Sequence, residues 1–159
     1  MDRSDIVVKP YRAEDTESLL TLFARSVREV ASRDYSPAQI EAWAQPSPDR
    51  EGWAARLAGR GGKRVAERGG LIAGFSDLEP DGHIDMMFVH PEHQGAGVAS
   101  ALLTHIEAMA GDQRTGRLFT EASITARPFF ERRGFRLVTA QQIGRNGQTF
   151  RNYRMERGL

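Results

Sequence analysis

The segment from His83 to Ser100 sets two kinds of chemistry side by side. An apolar run, Ile84 to Val89, leads through His90-Pro91 into Gln94-Gly95-Ala96-Gly97-Val98-Ala99-Ser100, a loop of small residues that opens an amphipathic helix. The N–H groups of Gly95 to Ser100 at a helix start have no intrahelical acceptor, and they sit at the positive end of the helix dipole. With little side chain in the way, such a loop suits a diphosphate carrying about two negative charges. Upstream on the same run, His83 and Asp85 stand two residues apart, so in a regular strand both point to one face, with Met87 and Val89. An imidazole and a carboxylate so placed are candidates to take a proton from an ammonium group, and Glu121 on a later strand is a third.

The elements that position these groups read as one mixed α/β domain over residues 1–159. A strand at Ile6–Val8 precedes a helix whose stripe is Leu19, Leu20, Leu22, Phe23, Val27 and Val30. Ser36-Pro37-Ala38-Gln39 carries the signature of a capped helix start, with Ile40 and Trp43 behind it, and Ser47-Pro48 offers another start before Trp53 and Leu57. Strands are predicted at Lys63–Glu67 and Leu71–Leu78, joined by Gly69-Gly70, and Asp81-Gly82 turns the chain into the strand ending at Val89. A helix with Val98, Ala101, Leu102, Ile106 and Met109 on one side is expected to stop at Gly111. A strand at Arg117–Ala122, a short helix from Thr125 to Arg133, a strand from Gly134 to Val138, a turn at Gly144–Gly147 and a last strand at Thr149–Met155 complete the order.

Other readings of the same residues are weaker. Gly59-Arg60-Gly61-Gly62 lacks the glycine spacing of a phosphate loop, and Arg64 stands where a hydroxyl should follow Lys63, so a connector is expected. Gly95-x-Gly97-x-x-Ser100 misses the third glycine of a dinucleotide fold and the repeated strand–helix units. A metal at His83, Asp85, His90 and His93 would rely on imidazole and carboxylate alone, and none is expected.

Twenty-two Lys and Arg against 21 Asp and Glu give no basic surplus that would point to nucleic acid or a membrane. The chain has no cysteine, which excludes disulfides and a thiol nucleophile. Met1 to Asp5 lack a charged-then-apolar leader, and no apolar run approaches the ~18 residues of a membrane span. A cytoplasmic enzyme, monomeric or homodimeric, is the expectation.

Gln94-x-x-Gly97-x-Ala99 resembles the Arg/Gln-x-x-Gly-x-Gly/Ala signature of the GNAT superfamily of N-acetyltransferases, which holds the pyrophosphate of acetyl-CoA. Ser123-Ile-Thr-Ala126-Arg-Pro-Phe129-Phe130-Glu131-Arg-Arg-Gly134-Phe135 is similar to a second motif of that superfamily, Asn-x-x-Ala-x-x-x-Tyr-x-x-x-Gly-Phe. The resemblance implies a mostly antiparallel mixed sheet in which two central parallel strands splay apart, flanked by helices. Pantetheine would enter the gap against Met87, Phe88 and Val89. Gln94, Gly95, Ala96, Gly97, Val98, Ala99 and Ser100 would hold the diphosphate, while Ser123, Ala126, Phe129 and Phe130 would line the other wall. Arg132 would reach the 3′-phosphate.

It further implies direct acetyl transfer to the primary amine of a small molecule or peptide, with a base drawn from His83 or Asp85. Two positions depart from the pattern: Ser123 replaces asparagine, and Phe130 replaces a tyrosine that protonates the leaving thiolate. A non-catalytic acyl-CoA sensor is therefore the alternative. The acceptor site is expected between Tyr35–Trp53 and the Gln141–Arg151 hairpin.

Overall fold

The computed structural model describes residues 5–59 and 61–159. Two four-stranded sheets carry the chain. The first runs in the order β1 (Ile6–Pro10), β2 (Gly62–Arg68), β3 (Leu71–Leu78), β5 (Met87–Val89), and is antiparallel throughout. The second runs β4 (His83–Ile84), β6 (Arg117–Ser123), β8 (Gln148–Gly158), β7 (Arg136–Arg145); only β4 and β6 are parallel. The sheets meet at β4 and β5, and beyond that point β5 and β6 diverge into a cleft.

The break between β4 and β5 corrects the single strand expected from Ile84 to Val89. Asp85 and Met86 form a bulge whose polar backbone groups are met by two buried side chains of β3. Asp77 Oδ1 accepts from the N–H groups of Asp85 (2.8 Å) and Met86 (2.9 Å), and Ser76 Oγ donates to the Met86 carbonyl (2.7 Å). Without such partners, buried backbone groups would make the irregularity costly. The bulge adds one residue and so reverses the faces. Ile84, Met87 and Val89 pack on the side of helix α4 (Val98–Asp112), whereas Met86 and Phe88 join the core under helix α1 (Thr16–Glu29). His83 thus does not share a face with Met87 and Val89.

The helices lie where their apolar stripes direct them. Leu19, Leu20, Leu22 and Val27 of α1 are buried against the first sheet together with Trp53 and Leu57 of α3 (Arg50–Ala58). Leu102, Leu103 and Ile106 of α4 are fully buried between the sheets' other faces and α5 (Arg127–Arg132). Gly74 on β3 permits the close approach of α4, since a Cβ there would lie 2.7 Å from Val98 and 3.0 Å from the Phe88 carbonyl oxygen.

Helix α2 (Pro37–Trp43) begins as expected: Ser36 and Gln39 cap each other reciprocally. Helix α3 is capped by Asp49, two residues past the expected cap at Ser47, because its carboxylate reaches Gly52 N–H at 3.0 Å. Helix α4 runs through Gly111 to Asp112. There the left-handed residue is Arg114 (φ 56°), with Arg114 N–H bonded to Gly111 and Thr115 N–H to Ala110, the pattern of a Schellman end. Helix α5 is shorter than expected. The β7–β8 hairpin is longer, and it turns at Asn146-Gly147, both left-handed, rather than over Gly144–Gly147. In the Gly59–Gly62 connector Gly59 ends α3 and Gly62 begins β2, while Arg60 lies outside the described residues. No helix among the described residues is long and apolar enough to cross a membrane.

Candidate active site

Two adjoining cavities occupy the cleft. The larger, about 390 Å³, lies between β5 and the β6–α5 segment, with the loop before α4 at one end. Met87, Phe88 and Val89 form one wall; Ser123, Ala126, Phe129 and Phe130 form the other; Arg132 sits at the rim. Gln94, Gly95, Gly97, Val98, Ala99 and Ser100 line the loop end, while Ala96 is buried behind it. The two sequence motifs therefore face each other across one space.

The loop is shaped by its glycines and by Gln94. Gly97 takes φ 90° at the N-cap of α4, a conformation open to glycine at little cost, and no side chain caps the helix. The first intrahelical bond of α4 joins Ala101 N–H to the Gly97 carbonyl, which leaves Val98, Ala99 and Ser100 N–H groups without intrahelical acceptors. No acidic residue stands in this first turn. The side chain of Gln94 turns back and donates to the Val89 carbonyl (3.1 Å), fixing the loop to the end of β5. Among the described residues β5 pairs only with β3, so its other edge opens on the cleft. An anion at the loop and an extended amide-bearing chain along β5 are what these donors and this edge can hold.

Ser123 and Phe130 behave as their chemistry allows. Ser123 Oγ accepts from Ala126 N–H (3.0 Å) and so shapes the turn into α5. Phe130 is 3% exposed, packed edge-on against Phe129 and Phe135, and still forms part of the wall of both cavities.

The smaller cavity, about 120 Å³, lies on the other side of the splayed strands and shares Trp43, Met87, Phe88, Ser123, Ala126 and Phe130 with the larger one. Aromatic rings from four elements enclose it: Phe23, Trp43, Phe88 and Phe150, with ring centroids 5.0 Å apart for Phe23–Phe88 and 6.0 Å for Trp43–Phe150. Its polar groups are Tyr35, Arg56, Asp85, Thr120, Glu121, Ser123, Arg145 and Asn152. Tyr35, Trp43, Ile143, Arg145 and Phe150 come from the two segments in which an acceptor site was expected. Arg56 and Asn152 lie just outside them, and nothing in their local sequence marks them.

The three proton-handling candidates part company here. His83 is clamped between two carboxylates, with Nδ1 2.5 Å from Glu79 and Nε2 2.6 Å from Glu121, and its ring stacks on Phe119. Those hydrogen bonds, Glu121 first, raise its pKa to about 9 against the opposing effect of burial, so the ring is an imidazolium at neutral pH. It lies outside the cavity lining, and a charged imidazole with both nitrogens engaged has no lone pair for an amine proton. Asp85 lines the cavity but pairs with Arg56 (2.9 Å). Glu121 lines the cavity, is 38% exposed at its side chain, and is oriented by His83. Tyr35 has no free role as an acid: its hydroxyl donates to the Arg151 carbonyl (2.6 Å) and accepts from Ile124 N–H (3.0 Å).

His90 and His93 pack edge-on at 5.5 Å; His90 faces Arg25 and His93 faces Arg68. Each is thus placed beside a cation, His90 as the cap and His93 as the last residue of the helical turn 91–93 that leads into the loop.

A sequence model of the acetyltransferase (GNAT) domain matches residues 31–157. The chain belongs to the GNAT family. It is 40% identical over 153 residues to the Escherichia coli K12 protein named uncharacterized N-acetyltransferase YafP, covering 96% of this chain and 95% of that one. Among solved structures, a GCN5-related N-acetyltransferase from Rhodopseudomonas palustris superposes with a TM-score of 0.94 at 34% identity, over 100% of this chain and 99% of that one. PaiA N-acetyltransferase from Thermoplasma acidophilum, solved with coenzyme A, has the same fold at 16% identity, with a TM-score of 0.77 over 97% and 99% of the two chains. As a GNAT protein the chain is an acyltransferase.

Proposed function

We propose that this acetyltransferase moves the acetyl group of acetyl-CoA directly to a primary amine, with Glu121 as the base. The observation that carries the reading is that the two cavities adjoin across the splayed strands, with walls in common. The cavity at the donor loop and the cavity that holds the Asp85 and Glu121 carboxylates share Met87, Phe88 and Phe130 in their walls. Coenzyme A in the Thermoplasma relative and acetyl-CoA in the related Salmonella typhimurium acetyltransferase YncA are the donors that support it.

In this reading the diphosphate rests on the N–H groups at the start of α4, and the pantetheine amides meet the free edge of β5. Arg132 takes the 3′-phosphate. Glu121 draws the ammonium toward the gap and accepts its proton through water. The neutral nitrogen then attacks the thioester carbonyl, the C–S bond breaks, and the acetyl group passes to nitrogen. A thiol is far more acidic than an alcohol, so thiolate leaves readily near neutral pH and a solvent proton suffices where Phe130 and Tyr35 offer none. With no cysteine in the chain, no thioester intermediate on the protein is available.

A screen of primary amines with acetyl-CoA, followed by thiol release, tests the reading. Amine-dependent release of free CoA is expected. Tight acetyl-CoA binding without release from any amine would instead assign the cleft to a non-catalytic sensor.

A further inference from the structure

The polar lining of the smaller cavity carries charges of both signs, which suits a molecule with two charged ends. Glu121 stands on β6, Asn152 on β8 and Arg145 at the end of β7, three successive strands of one sheet. At the β6 end, two carboxylates (Glu79 and Glu121) share one imidazolium, His83, which leaves one negative charge over. Arg56 and Asp85 neutralise each other. At the β7 end Arg145 lies over the faces of Trp43 (5.5 Å) and Phe150 (5.6 Å), and among the described residues it has no ion pair and no hydrogen bond. Partial burial, and then Arg56 beside it, lower the pKa of the otherwise exposed Arg145 against smaller opposing effects of Asp85 and Tyr35. Asn152 supplies an independent sign of an absent partner: it is 8% exposed and its Oδ1 is buried without a hydrogen bond.

We infer that the acceptor is a small amine that also carries one carboxylate, with the ammonium toward Glu121, a donor group toward Asn152 Oδ1 and the carboxylate on Arg145. The inference rests on the acetyltransferase reading above and narrows its substrate. One surplus cation matches a monoanion, and the planar guanidinium fork fits a carboxylate bidentately. Stacking on two rings fixes that fork in advance. The aromatic walls suit the short carbon body between the ends. At about 120 Å³ the cavity is well below the size that encloses drug-sized ligands, so the acceptor is small.

The test uses matched pairs: α-amino acids and ω-amino acids of two to five carbons, each against the amine that lacks its carboxylate. Free CoA release is measured for the wild-type chain, Arg145→Gln and Arg145→Lys. A charged hydrogen bond of about 1.5–3 kcal/mol corresponds to about 10- to 100-fold, so kcat/KM for the best amino acid should exceed that of its amine by that factor. Arg145→Gln should remove the preference mainly through KM, and Arg145→Lys should restore part of it. Trp43 gives a readout independent of turnover: fluorescence changes on titrating the amino acid into the CoA-loaded protein should vanish in Arg145→Gln. If simple amines or polyamines turn over while amino acids do not, or if Arg145→Gln keeps the preference, the substrate class is wrong and the acetyltransferase reading stands. If CoA binds and no amine releases it, the acetyltransferase reading fails first, and this inference with it.

Discussion

The donor side of the cleft and the acceptor side are built on different principles. On the donor side the chemistry belongs to the backbone: N–H groups at the start of α4, the free edge of β5, and side chains small enough to stay out of the way. All of it comes from short contiguous stretches. On the acceptor side it belongs to side chains that converge from distant places, such as Phe23 on α1, Trp43 on α2, Arg56 on α3, Asp85 in the bulge, Glu121 on β6 and Arg145 on β7. A backbone site depends on local conformation, so residue types at fixed spacing reveal it. A convergent side-chain site can be rebuilt by changing single residues without disturbing the donor loop. One superfamily can therefore keep its donor chemistry while its acceptors change.

The contrast can be broken most forcefully at Glu121. Glu121→Gln should lower turnover by about 10²- to 10⁴-fold, the usual contribution of a general base, with acetyl-CoA affinity unchanged. Equal losses in binding and turnover would show that the two sides are not separable. A smaller but still large effect is expected at Asp77. Asp77→Ala strips the acceptor from the buried Met86 N–H, at about 1–3 kcal/mol, and from the part-buried Asp85 N–H, and should lower thermal stability and weaken CoA binding together. Asp77→Asn keeps a carbonyl oxygen there and should retain most of both. A fully stable Asp77→Ala protein with normal CoA affinity would remove the bulge from the account.

How the bulge escaped the sequence reading is instructive. Ser76-Asp77 looked like the end of an apolar strand, yet those two side chains hold open a bulge that lies on the next strand. Nothing local to Asp85-Met86 announces it, so the predicted faces of His83 and Asp85 followed ordinary alternation and failed. Buried polar residues on β3 were the available signal. Lys63 faces Asp77 across β2–β3, and burial raises the Asp77 pKa to about 6.

By contrast, β3 was legible to the residue, because Gly69-Gly70 fixes one end and the Asp81-Gly82 turn follows the other. The start of α2 was legible because Ser36, Pro37 and Gln39 act within one turn. The end of α4 was not: Arg114 accepts the left-handed conformation that glycine was expected to provide.

A milder effect sharpens the picture of His83 as a charged brace. Its pKa is raised in the folded chain, from about 6.5 to about 9. The stabilisation is thus complete below pH about 6.5 and is lost as pH rises through about 9. Melting temperature should decline across that window in the wild type, and the decline should flatten in His83→Gln. An identical profile in both proteins would show that the Glu79–His83–Glu121 contacts contribute no net stability.

The most direct test of the donor site is a calorimetric titration of CoA into Ala99→Asp beside the wild type. A carboxylate in the first turn of α4 favours the helix by about 0.3–1 kcal/mol, so the variant should melt no lower than the parent. Even in water-like surroundings, a unit charge ~6 Å from a doubly charged diphosphate costs about 1.4 kcal/mol, or about tenfold in affinity. The account predicts a folded variant whose CoA affinity falls by about tenfold or more. A folded Ala99→Asp protein that binds CoA as tightly as the wild type would contradict it.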